Sequence, residues 1–418
     1  MTSERHAYIY VQLPDTLNVV PAALLKVDKL RDGTFVGRFR YGDRYLERSD
    51  AIEFDPFQLP LGNKVHEFTK LKGIPGAVRD ASPDAWGRCV IEHKLQRDPA
   101  ELEEIDYLLD GPQDAAGYLS FGTNVEPSVS KRPYNRTHQL AELVASAQAI
   151  EEGKRVPEHV LEQLEPGTSM GGARPKATIE DDSRLWVGKF PQNADRCNLQ
   201  RVEHATLELA RRCGIAVCNS RLASIGRRDV LMIERFDREF HDGKYLRFGL
   251  VSAMTVLDCD ENNAERRSYP LLADQLRRWS AKPVDDRIEL FRRIVFNAAV
   301  TNNDDHVRNH ALRRTAQGWR LTPAYDLVPT PVVSVERRDL AMTIGTYGRT
   351  ASVCNLLSRC NRFGLSIEAA RQEIEKVVTA VKGWRDHFHT CGVSAQDVEY
   401  IAPAFLPECF FFEEPAEN

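Results

Sequence analysis

Residues 285–300, DDRIELFRRIVFNAAV, place Ile288, Phe291, Ile294, Val295 and Ala298 on one face at helical spacing. That pattern predicts a helix with one buried side. It runs straight into TNNDDHVRNH, residues 301–310, which has three asparagines, two aspartates and two histidines in ten positions. A segment this polar cannot extend the buried face, so the chain must leave the helix there as a loop. Two short strand-like pieces follow, HALRRT and WRLTP, joined by Ala316-Gln317-Gly318 as a predicted hairpin. The hairpin delivers AYDLVPT, with Asp326 just beyond it. A buried helix, a polar loop and a hairpin thus follow one another directly, in a region that reads as largely helical from about residue 265.

The rest of the chain divides into three stretches. In residues 1–137, HAYIYVQL alternates like a strand, and TFVGRFRY sets Phe35, Phe39 and Tyr41 on one side at period two. A helix is predicted in SPDAWGRCVIEHKL, with Ser82 as N-cap and Pro83 in the first turn. Residues 123–137 read as a loop. In residues 138–240, a helix is expected at 138–152, and RLWVGKF and DVLMIERF read as strands. Between those strands lies a helix, RVEHATLELARRCG, that Gly214 should stop. Residues 241–418 read as mainly helical, with further helices at 366–386 and 395–403.

The polar loop has a chemical reading. Asp304 precedes Asn309 by five residues, the D-x-x-x-x-N spacing of a protein-kinase catalytic loop. There the aspartate meets a substrate hydroxyl and the asparagine faces a metal, two tasks that one carboxylate cannot share. Asp326 occupies the place of a metal-binding aspartate. Lys189, in LWVGKFP, is a charge on an apolar strand and calls for a phosphate or an acid such as Glu203 on the next helix. Gly171 and Gly172, in GTSMGGARPKA, can expose backbone N–H groups to phosphate oxygens, and Lys176 adds charge. A solvated loop, or a zinc site from Asp304, His306 and His310, are the competing readings. The second lacks the glutamate of H-E-x-x-H, since Val307 follows His306. No G-x-S-x-G elbow offers an acyl-transfer nucleophile.

Composition narrows the setting. With 56 basic and 61 acidic side chains the formal net charge is -5, which argues against holding nucleic acid by bulk charge. The nine cysteines are scattered without a CxxC pair, as expected of reduced thiols. No apolar run approaches the roughly 20 residues of a membrane-spanning helix. A cytoplasmic protein with no membrane partner is the expectation.

Taken in order, DASPDAWGR, SMGGARPK, GKFP, IERFDR, NDDHVRN and LTPAYD resemble the blocks of the HipA-family serine/threonine kinases, toxins of bacterial toxin–antitoxin pairs. The resemblance covers most of the chain. It implies an α+β, two-lobed protein-kinase-like fold, with a mixed α/β N-terminal lobe, a mainly helical C-terminal lobe and ATP in the cleft between them. By position it makes Asp304 the catalytic aspartate and Asn309 and Asp326 the Mg2+ ligands. His306 and Tyr325 would lie by the nucleotide. Lys189 and the segment Gly171, Gly172, Ala173, Arg174, Pro175 and Lys176 would contact phosphates, with Glu203 as ion-pair partner of Lys189. Glu234, Arg235 and Phe236 match the adenine-facing segment, and Ser169 the autophosphorylated serine. The family's partners are a small helix-turn-helix antitoxin (HipB-like), operator DNA reached through that antitoxin, and a protein target, in some members an aminoacyl-tRNA synthetase. A nucleotide-binding co-repressor or pseudokinase is the alternative function. Two departures stand out. Arg174-Pro175 replaces a Gln-Glu pair, and Asp305 stands where some members have glycine; a second carboxylate there should repel a triphosphate unless a metal or lysine compensates.

Overall fold

The alternating segments near the N-terminus pair as a five-stranded antiparallel sheet. Its order is His66–Phe68, Phe35–Tyr41, Val19–Lys29, Arg5–Gln12 and Leu119–Gly122. Phe39 and Tyr41 point to the core as their period-two spacing predicts, and pack edge-on against each other and Phe54. Gly37 is required by a close backbone approach: a Cβ there would lie 1.7 Å from the carbonyl oxygen of Gly73. A computed structural model describes residues 5–112, 114–127, 134–164, 172–260, 263–331 and 337–412. Two compact units emerge. One comprises residues 1–192, 234–255 and 313–316, the other residues 193–233, 256–312 and 317–418. The chain enters each unit more than once, which a division into three successive stretches does not express.

The first unit also holds an antiparallel ladder of Lys176–Asp181 with Arg184–Lys189, flanked by the short parallel strand Asn135–Arg136. The predicted helix in the SPDAWGR stretch runs Ala85–Leu95, and its N-cap is Asp84 rather than Ser82. Asp84 has the extended backbone of a cap, and its carboxylate accepts from the Gly87 amide at 2.9 Å. A carboxylate suits the positive helix end better than a hydroxyl does.

In the second unit the helix Leu199–Arg212 is capped by Asn198 and ends where predicted, with Gly214 at φ +78°. The helix Pro283–Ala299 is the spine; it packs on Tyr269–Trp279 and Ile367–Lys382. The single helix expected at 366–386 is two, Ile367–Lys382 and Trp384–Thr390, parted at Gly383. The predicted hairpin forms from Ala311–Thr315 and Gly318–Leu321, with Gly318 at φ +116° in its turn, and its residues 313–316 belong to the first unit. All nine cysteines are free thiols. Among the described residues no helix is long and apolar enough to cross a membrane.

Candidate active site

The polar loop leaves the spine helix sharply. Thr301 takes φ +50°, and Asn302 donates its amide back to the Asn297 carbonyl at 2.9 Å. The Thr301 hydroxyl donates to the Ala404 carbonyl at 2.5 Å and accepts from Arg338 Nη1 at 2.9 Å, so the exit is anchored in the core. Two backbone bonds then fold the loop on itself, His306 N to Asp304 O at 2.7 Å and Asn309 N to His306 O at 2.9 Å. Side chains are sorted by this winding. Asp304 is exposed, while Asp305, Asn309 and His310 are buried and His306 is half-buried.

The loop therefore joins the two residues that the five-residue spacing singled out. Asn309 Nδ2 donates to the Asp304 carbonyl at 3.1 Å. Its other amide atom, Oδ1, is buried without a hydrogen-bond partner among the described residues. A buried carbonyl oxygen in that condition is costly unless a ligand completes it. Asp326 follows the hairpin, half-buried, at φ +57°, a left-handed conformation that a non-glycine residue adopts only when its surroundings impose it. The Tyr325 hydroxyl donates to the Arg308 carbonyl at 2.8 Å, tying that segment to the loop. Neutral and anionic oxygen donors of this kind suit Mg2+, which takes one or two carboxylates and leaves its other positions to water and phosphate. Among the described residues no group of three or more His, Cys, Asp and Glu side chains is placed to hold a metal ion, and His310 Nε2 is engaged by Asp305.

Asp305 corrects an expectation. Its carboxylate faces the core, not a triphosphate. Oδ2 accepts from Tyr269 Oη at 2.6 Å, from Asn297 Nδ2 at 2.6 Å and from His310 Nε2 at 2.9 Å. Burial alone would raise its pKa, but the His310 interaction and the hydrogen bonds from His310 and Tyr269 outweigh it and hold the carboxyl below its usual range. Burial, reinforced by the Asp305 contact, pushes the Tyr269 hydroxyl well up.

In the first unit, Lys176 and Lys189 are direct partners across the ladder, and both are buried. Like charges in register are unfavourable unless each is met. Lys176 is met locally: its ammonium binds the buried Asp84 carboxylate and the Gly172 carbonyl, the latter at 2.8 Å. The phosphate contact that the resemblance implies for Lys176 stays a proposal beside this engagement. Lys189 ends its strand beside Phe190, whose amide donates to the Pro175 carbonyl at 2.9 Å. Gly172 and Ala173 are exposed and Arg174 is half-exposed. Ser169 and Gly171 lie outside the described residues. Glu203 is buried on the helix Leu199–Arg212 of the other unit, and its pairing with Lys189 remains a prediction.

In the segment Glu234, Arg235 and Phe236, matched by resemblance to the adenine-facing stretch, the central side chain is engaged within the unit. Arg235 is fully buried and forks onto Asp237 at 2.9–3.0 Å and Asp114 at 2.7 Å, while its amide donates to Leu185. Glu234 lies 3.4 Å from Arg184, and the Phe236 carbonyl accepts from Arg313 at 2.7 Å.

Comparison with known proteins bears on this geometry. The family model of the HipA-like C-terminal domain matches residues 168–384, just over half of the chain and the part holding Lys189, the polar loop and Asp326. The chain belongs to this HipA-like family. Among curated proteins it is 28% identical over 158 residues to the serine/threonine-protein kinase toxin HipA of Shewanella oneidensis, covering 34% of this chain and 36% of that one. It is 29% identical over 164 residues to a provisionally named kinase of Sinorhizobium fredii, covering 38% of each. A similarly named protein of Haemophilus influenzae matches at 27% over 187 residues, covering 40% of this chain and 54% of that one. The matched stretches thus span about a third to a half of these relatives. HipA in the solved complex of Shewanella oneidensis HipA, HipB and operator DNA superposes with a TM-score of 0.66 at 16% identity, over 95% of this chain and 94% of that chain. The HipA fold is shared along nearly the whole chain, and the mixed α+β, kinase-like architecture expected from sequence is borne out.

Sequence reasoning missed the ionic centre of the first unit. Arg235 and Arg238 each bind both Asp114 and Asp237, and Arg247 lies 3.6 Å from Asp114. Burial would raise the Asp237 carboxyl, but Arg235 and Arg238 hold it far below the usual range. The E-R-F-D-R run is the available signal: two arginines flanking an aspartate beside an apolar strand cannot all face solvent. The resemblance to the HipA family points the same run toward ligand contact alone.

Proposed function

We propose that this HipA-like protein is an ATP- and Mg2+-dependent protein serine/threonine kinase acting as the toxin of a toxin–antitoxin pair. One observation carries the reading. The loop exposes the Asp304 carboxylate while holding, through the Asn309–Asp304 bond, a buried and uncompleted carbonyl oxygen five residues on. A base and a metal ligand held apart but tied together are what phosphoryl transfer needs from a protein, since catalysis there is mostly positioning and charge stabilisation.

Asp304 would orient the attacking hydroxyl and take its proton as the new oxygen–phosphorus bond forms and the bond from the γ-phosphorus to the β,γ-bridging oxygen breaks, with ADP as the leaving group. Asn309 Oδ1 and the Asp326 carboxylate would hold the metal, and Lys189 would steady the phosphates. When bound, Mg·ATP supplies the phosphoryl group and neutralises the charge of its transfer. His306, whose Nδ1 is buried and without a hydrogen-bond partner among the described residues, has a polar atom to offer the nucleotide. Ser169 is proposed as an autophosphorylation site that restrains the enzyme, because a phosphoserine adds about -1.5 to -2 charges beside a phosphate-contacting loop. A small helix-turn-helix antitoxin is the proposed partner, supported by the presence of HipB and operator DNA beside HipA in the superposed complex. The target is proposed to be a protein of translation, for which an aminoacyl-tRNA synthetase is the family's precedent. Cytoplasmic residence goes with that reading.

Phosphoproteomics after induction of the wild type and of Asp304→Gln tests it. Serine or threonine sites gained with the wild type and absent with the variant are expected. Identical phosphoproteomes would reject the assignment and favour the co-repressor alternative.

A further inference from the structure

The functional spacing of the loop is duplicated one residue along. Asp304 and Asn309 are five apart, and so are Asp305 and His310. The second pair faces the core and is joined directly, His310 Nε2 to Asp305 Oδ2 at 2.9 Å. The two helices behind the loop both reach it, Tyr269 from Tyr269–Trp279 and Asn297 from Pro283–Ala299. Asn297 also accepts from Asn302 Nδ2 at 3.1 Å, at the start of the loop. The Tyr269 and His310 rings meet edge-on at 5.7 Å. All of these side chains are buried.

We propose that Asp305, His310, Tyr269 and Asn297 form a clamp that sets the geometry of the catalytic pair, with Asp305 and His310 as positioning residues. The bond between residues 305 and 310 fixes the separation of their neighbours 304 and 309. The residue that looked like a misplaced charge is thereby the anchor of the site. Three donors converging on one buried oxygen give it a single arrangement, because any rotation strands a buried polar group.

Its catalytic consequence rests on the kinase reading, and the test separates the two. His310→Ala removes the donor. His310→Gln keeps an amide nitrogen near the position of Nε2. Hydrogen–deuterium exchange of the peptide covering residues 301–310 is measured well below the melting temperature of each variant, beside Mg2+-dependent phosphoryl transfer. His310→Ala is expected to speed loop exchange by about tenfold or more while other peptides keep their protection. It should lower kcat by about 100-fold, the scale of a 1 Å misplacement, with a smaller change in KM for ATP. His310→Gln should restore most of both. Unchanged loop exchange in His310→Ala, or equal loss in the two variants, overturns the clamp. Should the wild type transfer no phosphoryl group, the kinase reading fails, while the exchange result still decides the clamp.

Discussion

Asp55 shows how one side chain can work against the fold it belongs to. It is fully buried; Oδ1 accepts the amides of Phe57 and Gln58 at 2.8 and 2.6 Å, and Oδ2 has no hydrogen-bond partner among the described residues. Burial pushes its pKa up to about 6. A folded-state value above the unfolded one means that the folded chain binds the proton more tightly, so this residue's contribution falls as pH rises from about 4 to about 6. The loss reaches at most roughly 3 kcal/mol. Asp55→Asn is expected to melt lower relative to wild type at pH 4 than at pH 7.5; a constant difference across that range would contradict the assignment. Nothing in the sequence marked Asp55, because its burial is set by distant strands. The juxtaposition of Asp304 and Asn309 was legible, since it depends on spacing within ten residues. Asp305 was legible as an anomaly but not as an anchor, because two of its partners, Tyr269 and Asn297, lie on helices elsewhere in the chain.

At the scale of elements, boundaries set by local backbone chemistry were readable. Gly214 stops its helix and Gly318 turns the hairpin as their left-handed conformations require. The cap of Ala85–Leu95 was not, because the decisive interaction is tertiary: Asp84 also meets Lys176, 92 residues away. Asn198 has a similar double duty. It caps Leu199–Arg212 by accepting from the Arg201 amide at 3.1 Å, and its Nδ2 donates to Asp229 at 2.6 Å. Asn198→Ala should therefore lose about 1–2 kcal/mol, at the upper end for a helix cap, measured as a lower denaturant midpoint with unchanged m-value. A loss within the error of the midpoint would show that water replaces the cap. The strand Val19–Lys29 is hidden in the sequence, as its interior Pro21 and partial exposure blur the alternation.

For the whole molecule, the first unit is closed by segments far apart in the chain. Among the described residues, the arginines paired with Asp114 all lie in residues 234–255. A fragment of residues 1–192 would leave that carboxylate without them, at a cost of roughly 3–5 kcal/mol for a broken buried pair. Such a fragment is expected to lack a cooperative melt, and a sharp two-state transition would refute this. Asp114 and Asp237 are both held below the usual carboxylate range. Their contribution is present above the unfolded value of about 3.9 and lost as pH falls through the lower folded values. Helical content was legible over the C-terminal half from periodicity alone, whereas the threading of the chain through two units was not, because it depends on contacts between distant segments. The central claim, that the loop of residues 301–310 is a phosphoryl-transfer site, is tested most directly by one comparison. Purified wild type and Asp304→Asn are incubated with Mg2+ and ATP labelled in the γ-phosphate, after calorimetry has matched their nucleotide affinities. Label should enter wild-type protein and fall by at least about 1,000-fold in rate in the variant, since base and hydroxyl orientation are lost together. Equal incorporation by the two proteins, or none by either, would contradict it.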